Sequence, residues 1–409
     1  MSEWKKVKLG DYCEITSSKR CLASVRSKNG IPFFCSKEII CLDKGEDFEP
    51  TDFIPEELYN DIKAKYGVPT SGDLLLTTRG TNGIPYIYKP SDKFYFADGN
   101  LSWFKNFGKE LSPQYLYYWF KSPLGIHEVD AISKGTAQKA VPIDGLRRIV
   151  LLTPSLHTQN RIVVILSRYD LLIKNYQKQI KLLEEAAQRL YKEWFIDLHF
   201  PEHENTKIVD GVPEGWEKKT IADVCTNISS GSTPSRSNKA YWENGTIKWV
   251  KTKELQDGWI LDTEEYISQE GYNSSSTKMF PANTILMAIY ASPTLGRLGI
   301  LSTDCCCNQA ALGLIADENI ISWQWLFWKL YELRDEFNAI ARGAGQQNIS
   351  GIVVKNKEII IPDKGVIDGF TSVVSKMFEQ QKSLSSQLRL LTEARDRLLP
   401  KLMSGEITV

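Results

Sequence analysis

The sequence predicts an α+β chain: two tandem mixed α/β domains related by pseudo-two-fold symmetry, separated by two long helices packed as an antiparallel coiled coil. Three observations predict it. The stretch from Gln159 to Phe195 has no Pro and no Gly, and its apolar residues recur at alternating steps of four and three. A second stretch, 208 residues later, carries the same seam. The segments ahead of the two stretches match one another in the same order.

The first seam is Ile162, Leu166, Tyr169, Ile173, Tyr176, Ile180, Leu183, Ala187, Leu190 and Trp194. A seventh-residue apolar repeat of this length is what a helix lying along another long helix requires. At 1.5 Å per residue such a helix is roughly 50–55 Å long. Adding 208 gives Phe370, Val374, Met377, Gln381, Leu384, Leu388, Leu391, Arg395, Leu398 and Leu402, with only Gln381 and Arg395 polar. The text repeats as well, LLEEAAQRL at Leu182–Leu190 against LLTEARDRL at Leu390–Leu398. Two helices of one phase, parted by a domain-sized insert, pack as an antiparallel pair. The plainer alternative is two amphipathic helices, each buried on its own domain.

The repeat extends through the globular parts. Trp4–Cys13 aligns with Trp216–Cys225, Ile31–Ile39 with Ile247–Leu255, and Gly72–Ile87 with Ala282–Leu301. Tyr115–Phe120 aligns with Trp325–Leu330, Gly135–Val141 with Gly343–Ile349, and Leu151–Pro154 with Ile359–Pro362. Each half therefore reads as a globular part followed by a long helix. Runs such as Leu74–Thr78, Tyr86–Tyr88, Phe94–Phe96, Thr284–Ala288 and Gly299–Leu301 have strand character, broken by Gly, Pro and Asn turns. Pro113–Lys121 and Ser322–Phe337 have helical character. The boundaries that follow are 1–154 and 213–362 for the two domains, 155–198 and 363–409 for the two spacer helices, and 199–212 for a polar, Pro-containing linker.

Composition narrows the function. The chain balances 50 Lys and Arg against 50 Asp and Glu, which weighs against a tight, independent nucleic-acid binder. Binding with help from a partner subunit stays open. No run of about 18 apolar residues and no apolar signal region is present, so no membrane span is expected. The eight cysteines include the contiguous Cys305, Cys306 and Cys307, whose side chains alternate faces in a strand. They read as reduced core thiols rather than a metal cage, which fits a cytoplasmic location.

Catalytic motifs are absent from the text. There is no N-P-P-[FY] loop of an amino-methyltransferase, no G-x-x-x-x-G-K-[ST], no H-E-x-x-H and no G-x-S-x-G. His199 and His203 are four apart, but Pro201 between them spoils a helical metal pair. His127 and His157 complete the four histidines, and none falls in a paired acid–base arrangement.

Two tandem variable domains, each opening on a Trp-containing segment such as EGWEKKTIADV, and a first domain that closes on Pro and a long helix, TPSLHTQNRIVVILSRYDLLIKNYQKQIKLLEEA, resemble the specificity (S) subunits of type I restriction-modification systems. The resemblance covers essentially the whole chain. It implies two target recognition domains reading double-stranded DNA, and two helical spacers forming an antiparallel coiled coil. It also implies association with two methyltransferase (M) subunits and, for cleavage, restriction (R) subunits. S-adenosylmethionine, ATP and magnesium then belong to those partners, with no cofactor bound by this chain. Readers held by a rod of roughly 50 Å, about 15 base pairs, would address two half-sites at fixed separation.

Base readout needs amide and guanidinium side chains on exposed loops. The leading candidates are Lys134, Gln138 and Lys139 in one Gly-containing loop, and Arg342, Gln346, Gln347 and Asn348 in its counterpart. Next come Arg79, Thr81 and Asn82, and Arg297, in the paired turns. Lys37 and Lys253 each follow a strand and suit phosphate contacts, and Arg236 lies in an aromatic and basic loop with Trp242. Trp323, Trp325 and Trp328 suit a core. Two other classes stay open at this point: a coiled-coil adaptor for proteins without a DNA role, and a hydrolase or transferase with an unrecognised site.

Overall fold

The computed structural model describes residues 4–135, 139–290, 294–343 and 348–409, which group into two units. The first comprises Met1–Lys174 with Leu390–Val409, the second Asn175–Arg389. Each long helix is thus shared, one end per unit.

Among the described residues the first unit holds nine strands: β1 (Lys5–Lys8), β2 (Glu14–Thr16), β3 (Ile31–Phe34), β4 (Phe53–Ile54), β5 (Leu74–Thr77), β6 (Pro85–Ile87), β7 (Tyr95–Phe96), β8 (Leu101–Lys105) and β9 (Val150–Thr153). β1 runs antiparallel to β9, from Lys5 opposite Thr153 to Lys8 opposite Val150. One sheet has the order β2-β8-β5-β6 and a second β4-β3-β7, with β3 parallel to β7. All four residues of β5 are buried because its two faces enter different cores. Leu74 and Leu76 join Phe104, Leu116 and Phe120, whereas Leu75 joins Phe34, Phe96 and Trp103.

The second unit repeats this plan. Its strands are β10 (Ile208–Val209), β11 (Val212–Pro213), β12 (Glu217–Thr220), β13 (Cys225–Ser230), β14 (Ile247–Val250), β15 (Gly258–Ile260), β16 (Glu265–Ile267), β17 (Ile285–Ala288), β18 (Leu298–Leu301), β19 (Cys306–Cys307), β20 (Ala311–Ala316) and β21 (Glu358–Ile361). β12 pairs with β21 from Glu217 opposite Ile361. Relative to Lys5 opposite Thr153, the shifts are 217 − 5 = 212 and 361 − 153 = 208, the two offsets of the sequence repeat. The order β13-β20-β17-β18 matches β2-β8-β5-β6, and β16-β14-β19 matches β4-β3-β7, again with one parallel pair. β15, parallel to β18, is an addition of the second unit.

The helices follow from local signals. Pro113–Lys121 starts with Pro behind a Ser112 hydroxyl that accepts from Tyr115 N at 3.4 Å. The expected Ser322–Phe337 segment is two helices, Trp323–Glu332 and Arg334–Gly343, parted at Leu333. Trp325 and Trp328 are buried, and Trp323 packs edge-on to Trp259 and Phe378, so all three tryptophans belong to the core. Cys305, Cys306 and Cys307 are buried, and burial pushes the first two thiols up to about 11 and about 12 and the third further. The segment expected as a linker carries the β10–β11 hairpin and the buried Phe200, whose ring lies 5.3 Å from that of Trp216.

The long helices are Leu156–Tyr191, continued by a wider turn over Lys192–Ile196, and Lys364–Ser404. Every seam position is buried or half-buried, including Gln381 and Arg395. Several apolar residues off the seam face solvent: Leu171 is 69% exposed, Leu182 52% and Leu390 56%. In the first unit Ile162 and Leu166 share a core with Leu398, Leu399, Leu402 and Met403. In the second, Ala187, Tyr191 and Leu190 share one with Phe370, Val374, Met377 and Phe378. The start of each helix therefore meets the end of the other, and the pair is antiparallel. Arg395 breaks the apolar seam because it answers Asp170 at 3.0 Å, and Asp170 also accepts from the Tyr118 hydroxyl at 2.8 Å. Gln159, fully buried, ties the first helix to its unit by accepting from Ser112 N and donating to the carbonyls of Glu110 and Pro154. No helix among the described residues is long and apolar enough to cross a membrane.

Candidate nucleic-acid interface

In the first unit, three loops far apart in sequence are stitched into one patch. The Ser36 hydroxyl donates to the carbonyls of Arg79 at 3.0 Å and Asn100 at 3.1 Å. It pins the first turn of the Ser36–Lys44 helix, which carries Lys37, against the turn that carries Arg79, Thr81 and Asn82. Thr78 N donates to Asn100 O at 2.8 Å, and Val141 N to Thr78 O at 2.9 Å. Arg79 and Lys134 each form an antiparallel bridge with Ala140. The Asn82 amide donates to Lys139 O at 3.1 Å. Lys37, Arg79, Thr81, Lys134 and Lys139 are exposed, and the four cations among them have no carboxylate partner among the described residues. Gln138 lies outside the described residues.

The second unit builds the same ladder with other side chains. Ile289 N donates to Ala310 O at 2.9 Å and Ile349 N to Ile289 O at 3.0 Å, while Tyr290 bridges Asn348. These bonds stand where Thr78–Asn100, Val141–Thr78 and Arg79–Ala140 stand in the first unit. Tyr290 and Asn348 are exposed and Arg297 is half-buried. Gln346, Gln347 and the Arg342 side chain lie outside the described residues.

Charge distinguishes the two patches. Arg236 meets Glu265 at 2.5 Å, with its guanidinium 3.6 Å above the Trp242 ring and 5.0 Å from that of Trp249. Lys253 meets Glu264 at 2.6 Å, and Lys251 meets both glutamates. Hydrogen bonds from Lys253 and Lys251 hold the Glu264 carboxyl below its usual range. Arg236 and Lys253 are therefore already engaged within their own unit, whereas Lys37, Arg79, Lys134 and Lys139 are exposed and have no carboxylate partner among the described residues.

Sequence reasoning missed the residues that hold these turns. Arg334 reaches 38 residues back, donating from Nε to Gly296 O at 2.8 Å and from Nη1 to Asp257 at 3.1 Å. Asp257 also accepts from Leu298 N at 2.9 Å, so Arg334 and Asp257 together hold the backbone on either side of Arg297. Ser36 acts likewise in the first unit. Bonds to backbone carbonyls leave no compositional trace, and only the adjacency of Ser36 to Lys37 hinted at one. Among the described residues no group of three or more His, Cys, Asp or Glu is placed to hold a metal ion.

The comparisons agree with this geometry. Residues 1–185 and 213–384 each match the type I restriction modification DNA specificity domain. The chain is 29% identical to the MjaIX specificity subunit of Methanocaldococcus jannaschii, over 72% of this chain and 69% of that one. It is 25% identical to the HindI specificity subunit of Haemophilus influenzae across the full length of both. The crystal structure of the type I restriction-modification S subunit from M. genitalium superposes with a TM-score of 0.66 at 15% identity, covering 98% of this chain and 96% of that one. Two DNA specificity domains on a duplicated scaffold, with antiparallel long helices, place the chain in the family of type I restriction-modification specificity subunits, non-catalytic members of complexes whose catalytic activities reside in other subunits.

Proposed function

We propose that this chain reads an asymmetric bipartite DNA target, one half-site per unit, and serves as the scaffold on which M and R subunits assemble. Recognition domains would occupy 1–154 and 213–362, spacer helices 155–198 and 363–409, and a linker 199–212. One observation carries the reading: the ladder beneath the candidate loops is the same in both units, while the side chains on it differ. Arg79 and Ala140, bridged in one unit, answer to Tyr290 and Asn348, bridged in the other. A common scaffold with unlike side chains suits two half-sites of unlike sequence, and the helix pair sets the gap between them. Phosphate contacts by the unmatched cations would position the duplex; amides from Gln138, Gln346, Gln347 and Asn348 would select bases. The chain works in the cytoplasm, in keeping with its eight free cysteines, and leaves S-adenosylmethionine, ATP and magnesium to its partners.

Electrophoretic shift of the chain with its purified M subunit tests this. Gln138→Ala is expected to relax one half-site and Gln346→Ala the other. Equal relaxation of both half-sites by either substitution would overturn the assignment. Failure of the M-bound chain to select any sequence would favour the adaptor reading instead.

A further inference from the structure

The two units share one more arrangement, an arginine held between a carboxylate and an aromatic ring. In the first, Arg26 Nη1 meets Asp52 at 2.9 Å and its guanidinium lies 4.8 Å from the centre of the Phe33 ring. In the second, Arg236 Nη1 meets Glu265 at 2.5 Å and its guanidinium lies 5.0 Å from the centre of the Trp249 ring. Strand pairing makes the two equivalent. Trp249 on β14 lies opposite Glu265 on β16. Phe33 N on β3 donates to Asp52 O at 2.9 Å, one step on from Pro32 opposite Phe53 on β4. The shifts are 249 − 33 = 216, 265 − 52 = 213 and 236 − 26 = 210, within the drift of the sequence repeat.

Both arrangements adjoin the candidate patches. The backbone N–H of Cys35 donates to Glu38 at 2.8 Å and that of Lys251 to Glu254 at 2.7 Å, one cap in two copies ahead of Lys37 and Lys253. The Cys35 thiol is pushed up by burial and then by Glu38, pulled down by Arg26 and pushed up by Asp52, so the ion pair stands within electrostatic reach of that cap. Lys251 meets Glu265 at 2.6 Å and Glu264 at 3.0 Å, so a chain of ion pairs runs from Arg236 to Lys253.

Arg26 and Arg236 are exposed, while Phe33 and Trp249 beneath them are buried. A guanidinium lying on a ring and tied to a carboxylate through one nitrogen is fixed in its plane and keeps other N–H donors for a ligand. Its charge is already answered, and the carboxylate beside it would repel a phosphate. A base edge carries no net charge. Guanine presents two acceptors, O6 and N7, that match two donors of one guanidinium, and a neighbouring carboxylate can accept from the N4 amino group of cytosine. The turns beside the two arginines differ between the units, yet this chemistry is kept in both.

We infer that Arg26 and Arg236 are base-reading residues, one per unit, each selecting a guanine in its own half-site, with Asp52 and Glu265 as positioning residues. The inference rests on the bipartite reading proposed above and deepens it by naming one base in each half-site.

Selection from a library of randomised duplexes by the full chain with its M subunit, read by sequencing the shifted band, tests it. Wild type is expected to require a G·C pair in each half-site. Arg26→Ala is expected to lower the preference for guanine at one position of one half-site by roughly 5- to 150-fold, and Arg236→Ala at one position of the other. The untouched half-site reports that each variant is folded. Arg26→Lys keeps the charge without the fork, and is expected to lose the same preference with its salt dependence unchanged. Asp52→Asn and Glu265→Gln each release a cation, so each is expected to steepen the salt dependence of binding by about one unit of slope while relaxing the same guanine position. A half-site without a G·C pair, or arginine variants with preferences unchanged at every position, would overturn the inference and leave the bipartite reading standing. Uniform weakening of all sequences by Arg26→Ala, with the slope lowered by about one, would make this arginine a phosphate contact and likewise overturn the inference. Wild type that selects no sequence would overturn the bipartite reading itself.

Discussion

Arg79 and Lys134 show how single side chains come to matter through what holds them. Both are exposed, neither has a carboxylate partner among the described residues, and both sit on segments bridged to Ala140. Each neutralised phosphate contributes about one unit to the salt dependence of binding. Arg79→Ala and Lys134→Ala are each expected to lower the slope of log affinity against log salt by about one, in the M-bound complex, and to weaken all sequences alike. Lys253→Ala should change the slope far less, because Glu264 already occupies that ammonium. A salt titration that gave Lys253→Ala the larger effect would reverse the roles of the two patches. Glu184 supplies a different residue-scale test. Burial, with Asp257 and Glu185 nearby, raises its carboxyl to about 7. A carboxyl raised on folding binds more protons in the folded state, so its contribution is present below the unfolded value near 4.5 and is lost as pH climbs to about 7. Glu184→Gln should therefore leave the melting temperature near pH 5 almost unchanged and raise it by about 2–4 °C at pH 8, the shift that about 1 kcal/mol gives in a unit of this size. Equal shifts at both pH values would mean that the carboxylate is not the cause.

At the scale of elements, the helix seam was readable because a period needs no knowledge of the partner. Ile162, Leu166, Tyr169, Ile173, Tyr176, Ile180, Leu183 and Leu190 turn inward, as do Phe370, Val374, Met377, Leu384, Leu388, Leu391 and Leu398, while Leu171 and Leu182 do not. Hydrophobicity alone could not separate Leu166 from Leu171; spacing did. Leu166→Ala is expected to cost about 2–5 kcal/mol, since it opens a cavity among residues of both helices. Leu171→Ala should stay within about 0.5 kcal/mol. Urea unfolding of the two variants would decide, and comparable losses would contradict the packing. Other elements were hidden. The pairing of β1 with β9 spans nearly the whole domain, and β15 adds to a sheet edge without a counterpart in the other half. The commitment of Arg236 to Glu265 and two indoles looks, in the sequence, no different from a free arginine beside aromatics. Local pattern reports which face is apolar, and it is silent about which distant carboxylate answers a cation.

At the scale of the whole molecule, the repeat and the seam together make the proposed gap between half-sites an adjustable quantity. A coiled-coil seam repeats every seven residues, so a seven-residue insertion preserves its phase where a four- or three-residue one shifts it. Seven residues lengthen a helix by about 10 Å, close to three base pairs of duplex. Because the helices run antiparallel, a heptad added to only one of them slides every later contact by a full heptad, and the polar match of Arg395 with Asp170 is lost. A heptad added to both, at facing positions near the helix middles, keeps the end contacts: Ile162 and Leu166 with Leu399 and Leu402, and Tyr191 with Phe370. The doubly lengthened chain is expected to fold with near-native stability and to direct methylation to the same two half-sites with the gap widened by about three base pairs. The singly lengthened chain is expected to lose at least one unit's helix packing and to direct no methylation. Methylome sequencing of cells carrying each version reads both outcomes. An unchanged gap in the doubly lengthened chain would mean that the helix pair does not set the spacing, whatever the two units recognise.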